Sequence, residues 1–151
     1  MRDAIHQLKY RNLRTLAAPL AQLLSKYLIL HPIPGDVLVP VPLHPKRLKG
    51  RGYNQSALLA SELSKLTNLP IMEDCLIRQQ HTSAQAKTAT VDERRSNVSE
   101  AFTCLNDSLR DRKVILIDDV ATSGATLDAC AQALKTAGAA SVWGLTMARE
   151  I

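Results

Sequence analysis

Val114-Ile115-Leu116-Ile117-Asp118-Asp119-Val120-Ala121-Thr122-Ser123-Gly124-Ala125-Thr126 passes from an unbroken apolar run, through two acids, into small hydroxylated residues around one glycine. An apolar run without alternation is the mark of a strand covered on both faces, as in parallel sheets. Lys113 to Ile117 is read as that strand. Leu127, Cys130 and Leu134 then recur at helical spacing, with Gly138 placed to cap the helix at its carboxyl end. A turn between such a strand and helix lies at the carboxyl edge of the sheet, where ligands of open α/β sheets are held. It also points free backbone N–H groups at an anion, assisted by the helix dipole.

The residue types in the turn separate two demands. Gly124 lets backbone approach a ligand closely, and Thr122, Ser123 and Thr126 add hydroxyl donors suited to phosphate oxygens. Asp118 and Asp119 would repel phosphate, so hydroxyls or a metal are their natural partners. A phosphorylated sugar meets both demands. The plainer alternative, two acids that only cap the helix, leaves one Asp without a purpose. The sequence contains no G-x-x-x-x-G-K-[ST] and no G-x-G-x-x-G, which excludes a P-loop and a dinucleotide fingerprint.

Upstream, Leu13, Leu16, Leu20, Leu24, Tyr27 and Leu28 form a helical stripe interrupted by Pro19, which predicts a kink or a second helix starting there. The turn formers of residues 31–36 precede a short buried strand, Val37 to Val41. A basic, proline-bearing loop follows. Asn54 is then placed to cap a helix carrying Leu59, Leu63 and Leu66, which Pro70 stops. Ile71 to Ile77 is read as a strand, residues 79–97 as a long polar loop, Ala101 to Leu105 as a weak strand, and Ser141 to Met147 as the last strand. Strands alternating with helices imply one α/β domain over residues 1–151 with a mainly parallel sheet. Residues 1–34 form an N-terminal helical segment and residues 35–151 the core.

The bulk properties narrow the class further. The chain has 151 residues, 46% of them apolar and 22% charged, the balance of a protein with a packed core and not of a disordered one. No run approaches the roughly 20 apolar residues that span a bilayer, and residues 1–14 lack the apolar centre of a secretory signal, so membrane insertion is not expected and a cytoplasmic location is. Cys75, Cys104 and Cys130 are scattered and show no zinc-ligand spacing; buried free thiols are expected. Residues 1–53 hold nine Lys and Arg against two acids, while the remainder is slightly acidic. The basic half therefore suits phosphates, nucleic acid or solvent.

The segment 114–126 resembles the 5-phosphoribosyl-1-pyrophosphate (PRPP) signature of type I phosphoribosyltransferases: an apolar strand, two acids, two variable residues, then two hydroxylated residues, Gly, one variable residue and Thr. The rest of the chain, from about Lys9 to Arg149, is similar to one branch of that superfamily, the ComF/GntX family linked to DNA uptake in competent bacteria. The resemblance rests on Pro40-Val41-Pro42-Leu43-His44, on Arg51-Gly52-Tyr53-Asn54-Gln55, and on Gln85, Arg94, Asn97 and Phe102. It implies a type I phosphoribosyltransferase-like fold with a flexible loop and a small N-terminal helical hood. Asp118 and Asp119 would be the catalytic acids binding the ribose hydroxyls, and Ala121, Thr122, Ser123, Gly124, Ala125 and Thr126 would hold the 5-phosphate.

In type I enzymes the loop after the first core strand holds pyrophosphate, which here falls on residues 43–52. Four cations and two glycines in those ten positions suit that role on chemical grounds alone, because guanidinium groups fork onto phosphate oxygens. His44, Lys46, Arg47 and Arg51 are the candidates, Arg51 foremost. A solvated basic loop is the alternative. The polar loop 79–97, with Gln85, Lys87 and Arg94 on it, would correspond to the flexible hood that closes over PRPP; Lys87, Arg94 and Arg95 could supply charge to the pyrophosphate on closing, and an exposed charged loop is the alternative. His44 and His81 are more often polar surface than acid or base. Family members usually begin with a four-cysteine zinc-binding segment for which this chain has no counterpart: either this member lacks it or the sequence is a shortened form.

The resemblance implies an enzyme that transfers phosphoribosyl from PRPP to a nitrogen acceptor, with Mg2+ entering on PRPP and no direct protein ligand to the metal. Two alternatives stand beside it. One is a non-catalytic PRPP sensor of DNA uptake that works with competence proteins; the other is a single-stranded DNA binder using the basic half. Only five aromatic residues are present, and only Tyr53 lies among the cations, so base stacking has little to work with. A homodimer is expected by analogy alone.

Overall fold

Val114 to Ile117 are all buried because helices or ribbons cover both faces of the strand they form. The computed structural model describes residues 14–79 and 101–150. Strand β1 spans Val37–Pro40, β2 Leu76–Arg78, β3 Phe102–Cys104, β4 Lys113–Ala121 and β5 Ser141–Arg149. The main sheet is parallel in the order β1-β4-β5, with Val37 beside Val114, Leu116 beside Gly144 and Ala121 beside Arg149. A separate two-stranded antiparallel ribbon pairs β2 with β3, Leu76 facing Cys104. Residues 70–72 extend the main sheet by one parallel bridge, Leu38 to Ile71.

Alternation along β4 divides the core in two. Val114 and Leu116 join Val37, Val39, Phe102, Leu109, Cys130 and Leu134 on one face. Ile115 and Ile117 join Leu20, Leu24, Leu38, Leu59 and Leu63 on the other. The helices follow that division. Helices α1 (Ala17–Leu30) and α3 (Gln55–Thr67) cover the second face, and α4 (Ala125–Thr136), with the β2–β3 ribbon, covers the first. This is the expected α/β architecture.

Four local expectations change. Pro19 neither kinks nor starts α1: a 3-10 turn, Arg14–Leu16, leads into Ala17, and Pro19 sits in the first turn, where its missing N–H costs nothing. The basic segment 43–52 is not a loop throughout; Pro45–Arg51 forms a short helix, α2. His44 caps it, Nδ1 accepting from the Lys46 N–H at 3.1 Å, Pro45 opens it, and Gly52 ends it at φ 81°. The strand read over 71–77 contracts to Leu76–Arg78 because residues 73–75 bend. Finally, β4 runs on through both acids to Ala121, held by β5, so the turn proper is only Thr122 to Gly124.

Candidate functional site

Because β1 and β4 are parallel, the segments leaving their carboxyl ends share one edge of the sheet. Asn54 ties them. Its Oδ1 accepts from the Ser56 N–H at 3.0 Å, which caps α3, while its Nδ2 donates to the carbonyl of Val41, just past β1, at 3.0 Å. The first turn of α3 is thereby fixed at the same edge as Asp118. There the Ser56 hydroxyl donates to Asp118 Oδ1 at 2.9 Å, and the same oxygen accepts from the Asp119 N–H at 2.9 Å. Asp119 is 3% exposed, and its Oδ1 accepts from the Val120 N–H at 2.7 Å. Both carboxylates are held by backbone or buried donors, which fixes their orientation.

Gly124 has φ 83°, a left-handed conformation that other residues reach only with strain, and open space where a Cβ would stand. It caps α4: its carbonyl accepts from the Asp128 N–H at 2.9 Å, and Ser123 Oγ accepts from the Ala125 N–H at 3.3 Å. Thr122 and Ser123 are exposed; Ala121, Gly124, Ala125 and Thr126 are half-buried. These residues gather around the N-terminus of a twelve-residue helix, the geometry that accommodates a phosphate.

Helix α2 carries Lys46, Arg47 and Lys49 exposed and Arg51 half-buried, with no acid in its first turn. Arg51 Nη1 donates to Gln55 Oε1, which joins the end of α2 to the start of α3. Arg14 adds a second tie, Nη2 donating to the Gly52 carbonyl at 3.5 Å and the guanidinium lying 4.9 Å from the Tyr53 ring centroid. Tyr53 is thus buried beneath a cation and offers no free face for stacking.

Ser56 and Arg78 were not singled out from sequence, and Gln55 entered only as the last residue of the segment 51–55. Gln55 and Ser56, with Asp119, are the buried polar side chains among the described residues, and all three belong to this edge. Arg78, at the end of β2, lies 5.4 Å over the Phe102 ring. Partial burial lowers its pKa, and the neighbouring Arg47 guanidinium lowers it further. The signal available in sequence was only that Arg78 ends the apolar run Leu76-Ile77 and opens the polar one. Burial and the Asp118 carboxylate push the Cys130 thiol far up, so it stays neutral beneath the acids. Cys75 is likewise buried, its thiol raised to about 11, and Cys104 is half-buried. Gln85, Lys87, Arg94 and Arg95, with His81 and Asn97, lie outside the described residues.

The phosphoribosyl transferase domain family matches residues 53–148, nearly two thirds of the chain and all of this edge from Tyr53 onward. The chain belongs to that family, in its ComF branch. Competence protein F of Haemophilus influenzae is 36% identical over 117 residues, 75% of this chain and 51% of that protein. Competence protein ComFC of Bacillus subtilis is 32% identical over 153 residues, 99% of this chain and 60% of the relative. The DNA utilization protein YhgH of Escherichia coli O157:H7 is 34% identical over 145 residues, 91% and 62% of the two chains. The chain therefore spans between about half and three fifths of the length of these ComF relatives.

Solved structures agree on the fold. A purine phosphoribosyltransferase from Pyrococcus horikoshii superposes with TM-score 0.53 at 18% identity, over 87% of this chain and 71% of its own. A glutamine PRPP amidotransferase from B. subtilis superposes with TM-score 0.58 at 19% identity, over 87% and 26%. The type I phosphoribosyltransferase fold of this ComF chain follows, and no helix among the described residues is long and apolar enough to cross a membrane.

Proposed function

We propose that this ComF-family chain binds PRPP at the carboxyl edge of its sheet and transfers the phosphoribosyl group to a nitrogen acceptor. The observation that supports this most is the common placement of Asp118 and Asp119, the turn Thr122–Gly124 and the cations of α2 around one edge. The 5-phosphate would sit on residues 121–126, and the ribose hydroxyls on Asp118 and Asp119. Arg51, Arg47, Lys46 and His44 would face the pyrophosphate, with Arg78 beside them. His44 Nδ1 is occupied by its capping bond, so any contribution to the ligand comes from Nε2.

In the reaction, the nitrogen lone pair forms a bond to the anomeric carbon as the carbon–oxygen bond to pyrophosphate breaks. Pyrophosphate leaves with that electron pair, and the nitrogen gives up its proton. Charge builds on the departing oxygens, so the guanidinium and ammonium groups on α2, Arg51 held by Gln55 foremost, would stabilise the transition state more than the ground state. The paired acids hold the ribose against the developing positive centre. Among the described residues no group of three or more His, Cys, Asp or Glu forms a metal cage. Two adjacent carboxylates beside ligand oxygens suit Mg2+ that arrives on PRPP and keeps most of its coordination to substrate and water. When bound, it would neutralise pyrophosphate charge.

Calorimetric titration with PRPP, with and without Mg2+, tests the pocket. Magnesium-dependent micromolar binding, followed by pyrophosphate release with a nitrogen acceptor, is the expected result; absence of binding refutes the proposal. Binding without release under a broad acceptor panel would reduce the role to a PRPP sensor.

A second reading draws on the exposed cations Lys46, Arg47 and Lys49 and on relatives whose names refer to competence and DNA utilization. Single-stranded DNA would bind along α2, held by phosphate contacts because Tyr53 is buried. Affinity for an oligonucleotide should then fall by at least about tenfold between 50 and 200 mM salt. A flat response removes this reading.

A further inference from the structure

A buried hydroxyl and a buried amide, side by side in one helical turn, reach toward opposite halves of the proposed ligand site. Ser56 is 1% exposed and donates to Asp118 Oδ1 at 2.9 Å, across 62 positions of sequence. Gln55 is 6% exposed and accepts from Arg51. Burying polar side chains is unfavourable unless they are hydrogen-bonded, and neither is needed to cap α3, which Asn54 does through its own side chain. Apolar residues would fill these positions at less cost if packing were the only requirement.

We propose that Gln55 and Ser56 are positioning residues that set the separation between the pyrophosphate cations and the ribose-binding acids. The inference rests on the PRPP reading above. Ser56 and the Asp119 N–H together occupy Asp118 Oδ1, so the carboxylate cannot rotate about its Cβ–Cγ bond without losing two bonds. Gln55 fixes Arg51 at the end of α2. The two residues are adjacent on one rigid turn, and Asn54 bolts that turn to Val41. The distance between the Arg51 guanidinium and the Asp118 carboxylate is thus set by a single short piece of helix. PRPP carries its pyrophosphate and its hydroxyls at a fixed spacing, so a rigid gauge favours the intact ligand over its separate parts.

The test dissects the ligand. Wild type, Ser56→Ala, Ser56→Thr and Gln55→Met are titrated with PRPP, ribose 5-phosphate and pyrophosphate, each with Mg2+, and unfolding midpoints are recorded. Loss of a hydrogen bond to a charged binding group corresponds to about 10- to 100-fold in affinity. Ser56→Ala should weaken PRPP and ribose 5-phosphate by about that factor while pyrophosphate stays within about twofold. Gln55→Met should show the converse, weakening PRPP and pyrophosphate and sparing ribose 5-phosphate. Ser56→Thr, which keeps the hydroxyl, should restore most of the affinity lost in Ser56→Ala. Equal losses for all three ligands would mean a purely structural role and overturn the proposal, as would no loss at all. If Ser56→Ala does not fold, the split in Gln55→Met decides alone. Failure of wild type to bind PRPP would instead overturn the underlying reading, and the positioning role with it.

Discussion

Replacing both acids by amides separates a ribose site from a mere helix cap by the sign of the effect. Asp118→Asn with Asp119→Asn keeps a carbonyl oxygen at each position, so the bonds from Ser56, the Asp119 N–H and the Val120 N–H can all persist. What disappears is charge. A hydrogen bond to a charged acceptor contributes about 1.5–3 kcal/mol and a neutral one about 0.5–1.5 kcal/mol. Two ribose contacts therefore lose about 2–3 kcal/mol together, a drop in PRPP affinity of roughly 30- to 150-fold. If the acids serve only the helix, the same change removes repulsion against an anionic ligand, worth about 0.5 kcal/mol per charge pair at roughly 8 Å in water, and binding tightens. Calorimetry in the presence of Mg2+ reads the difference directly. Because Asp119 is buried, its new amide group must find an acceptor, and a stability loss of about 1–2 kcal/mol is expected at most. Affinity equal to or tighter than wild type, in a folded variant, would refute the assignment of both acids.

Other outcomes follow from individual contacts. A Cβ at Gly35 would overlap Cγ1 and Cδ1 of buried Ile115, so Gly35→Ala should cost about 1–3 kcal/mol in chemical denaturation without affecting ligand contacts. With Arg78 beside the pyrophosphate as proposed, Arg78→Met should weaken pyrophosphate about tenfold and flatten the salt dependence of its binding, because one guanidinium is lost. Burial opposes ionisation of Asp36, but Arg112 Nε at 2.9 Å and the Lys113 N–H at 3.2 Å outweigh it and hold the carboxyl below its usual value. Its stabilisation is therefore complete above about pH 4 and lost as pH falls further; Asp36→Asn should remove that acid-side slope and cost under about 1 kcal/mol at neutral pH, the pair being exposed. Alkylation at neutral pH should modify Cys104 first and spare Cys75 and Cys130 until the chain unfolds, which mass spectrometry of timed samples would show.

How much of this could be read from sequence depended on whether the signal was local. The run Val114 to Ile117 and the cap at Asn54 are short-range patterns, and both elements stand where they were expected. Helix α2 escaped because its residues are charged on every side and show no apolar period; a cap, a proline and a left-handed glycine make it, and none of these changes the composition of the segment. The four extra residues of β4, Asp118 to Ala121, come from pairing with β5, which lies more than twenty residues further on. Pro19 was misjudged by position alone, since two residues decide whether a proline sits inside a helix or in its first turn. At the site, the acids and the Gly124 turn were legible because they are contiguous. The Ser56–Asp118 contact was not, because the chain brings the two residues together only after folding.

The division of the core by β4 has a consequence for how ligand capacity is lost. The strand has a hydrogen-bonded neighbour on each side and an apolar layer on each face, so its central amides should be the slowest of the described residues to exchange hydrogen with solvent, reporting only global unfolding. Asp118 and Asp119 are a direct continuation of that strand, whereas α2 is exposed along most of its length. Partial opening should therefore release the cations while the acids remain in register, and amides of residues 46–51 should exchange well before those of residues 114–119. With PRPP held as proposed, mild denaturant would then erode grip on pyrophosphate before it erodes grip on the sugar, giving this small domain two separable thresholds of failure.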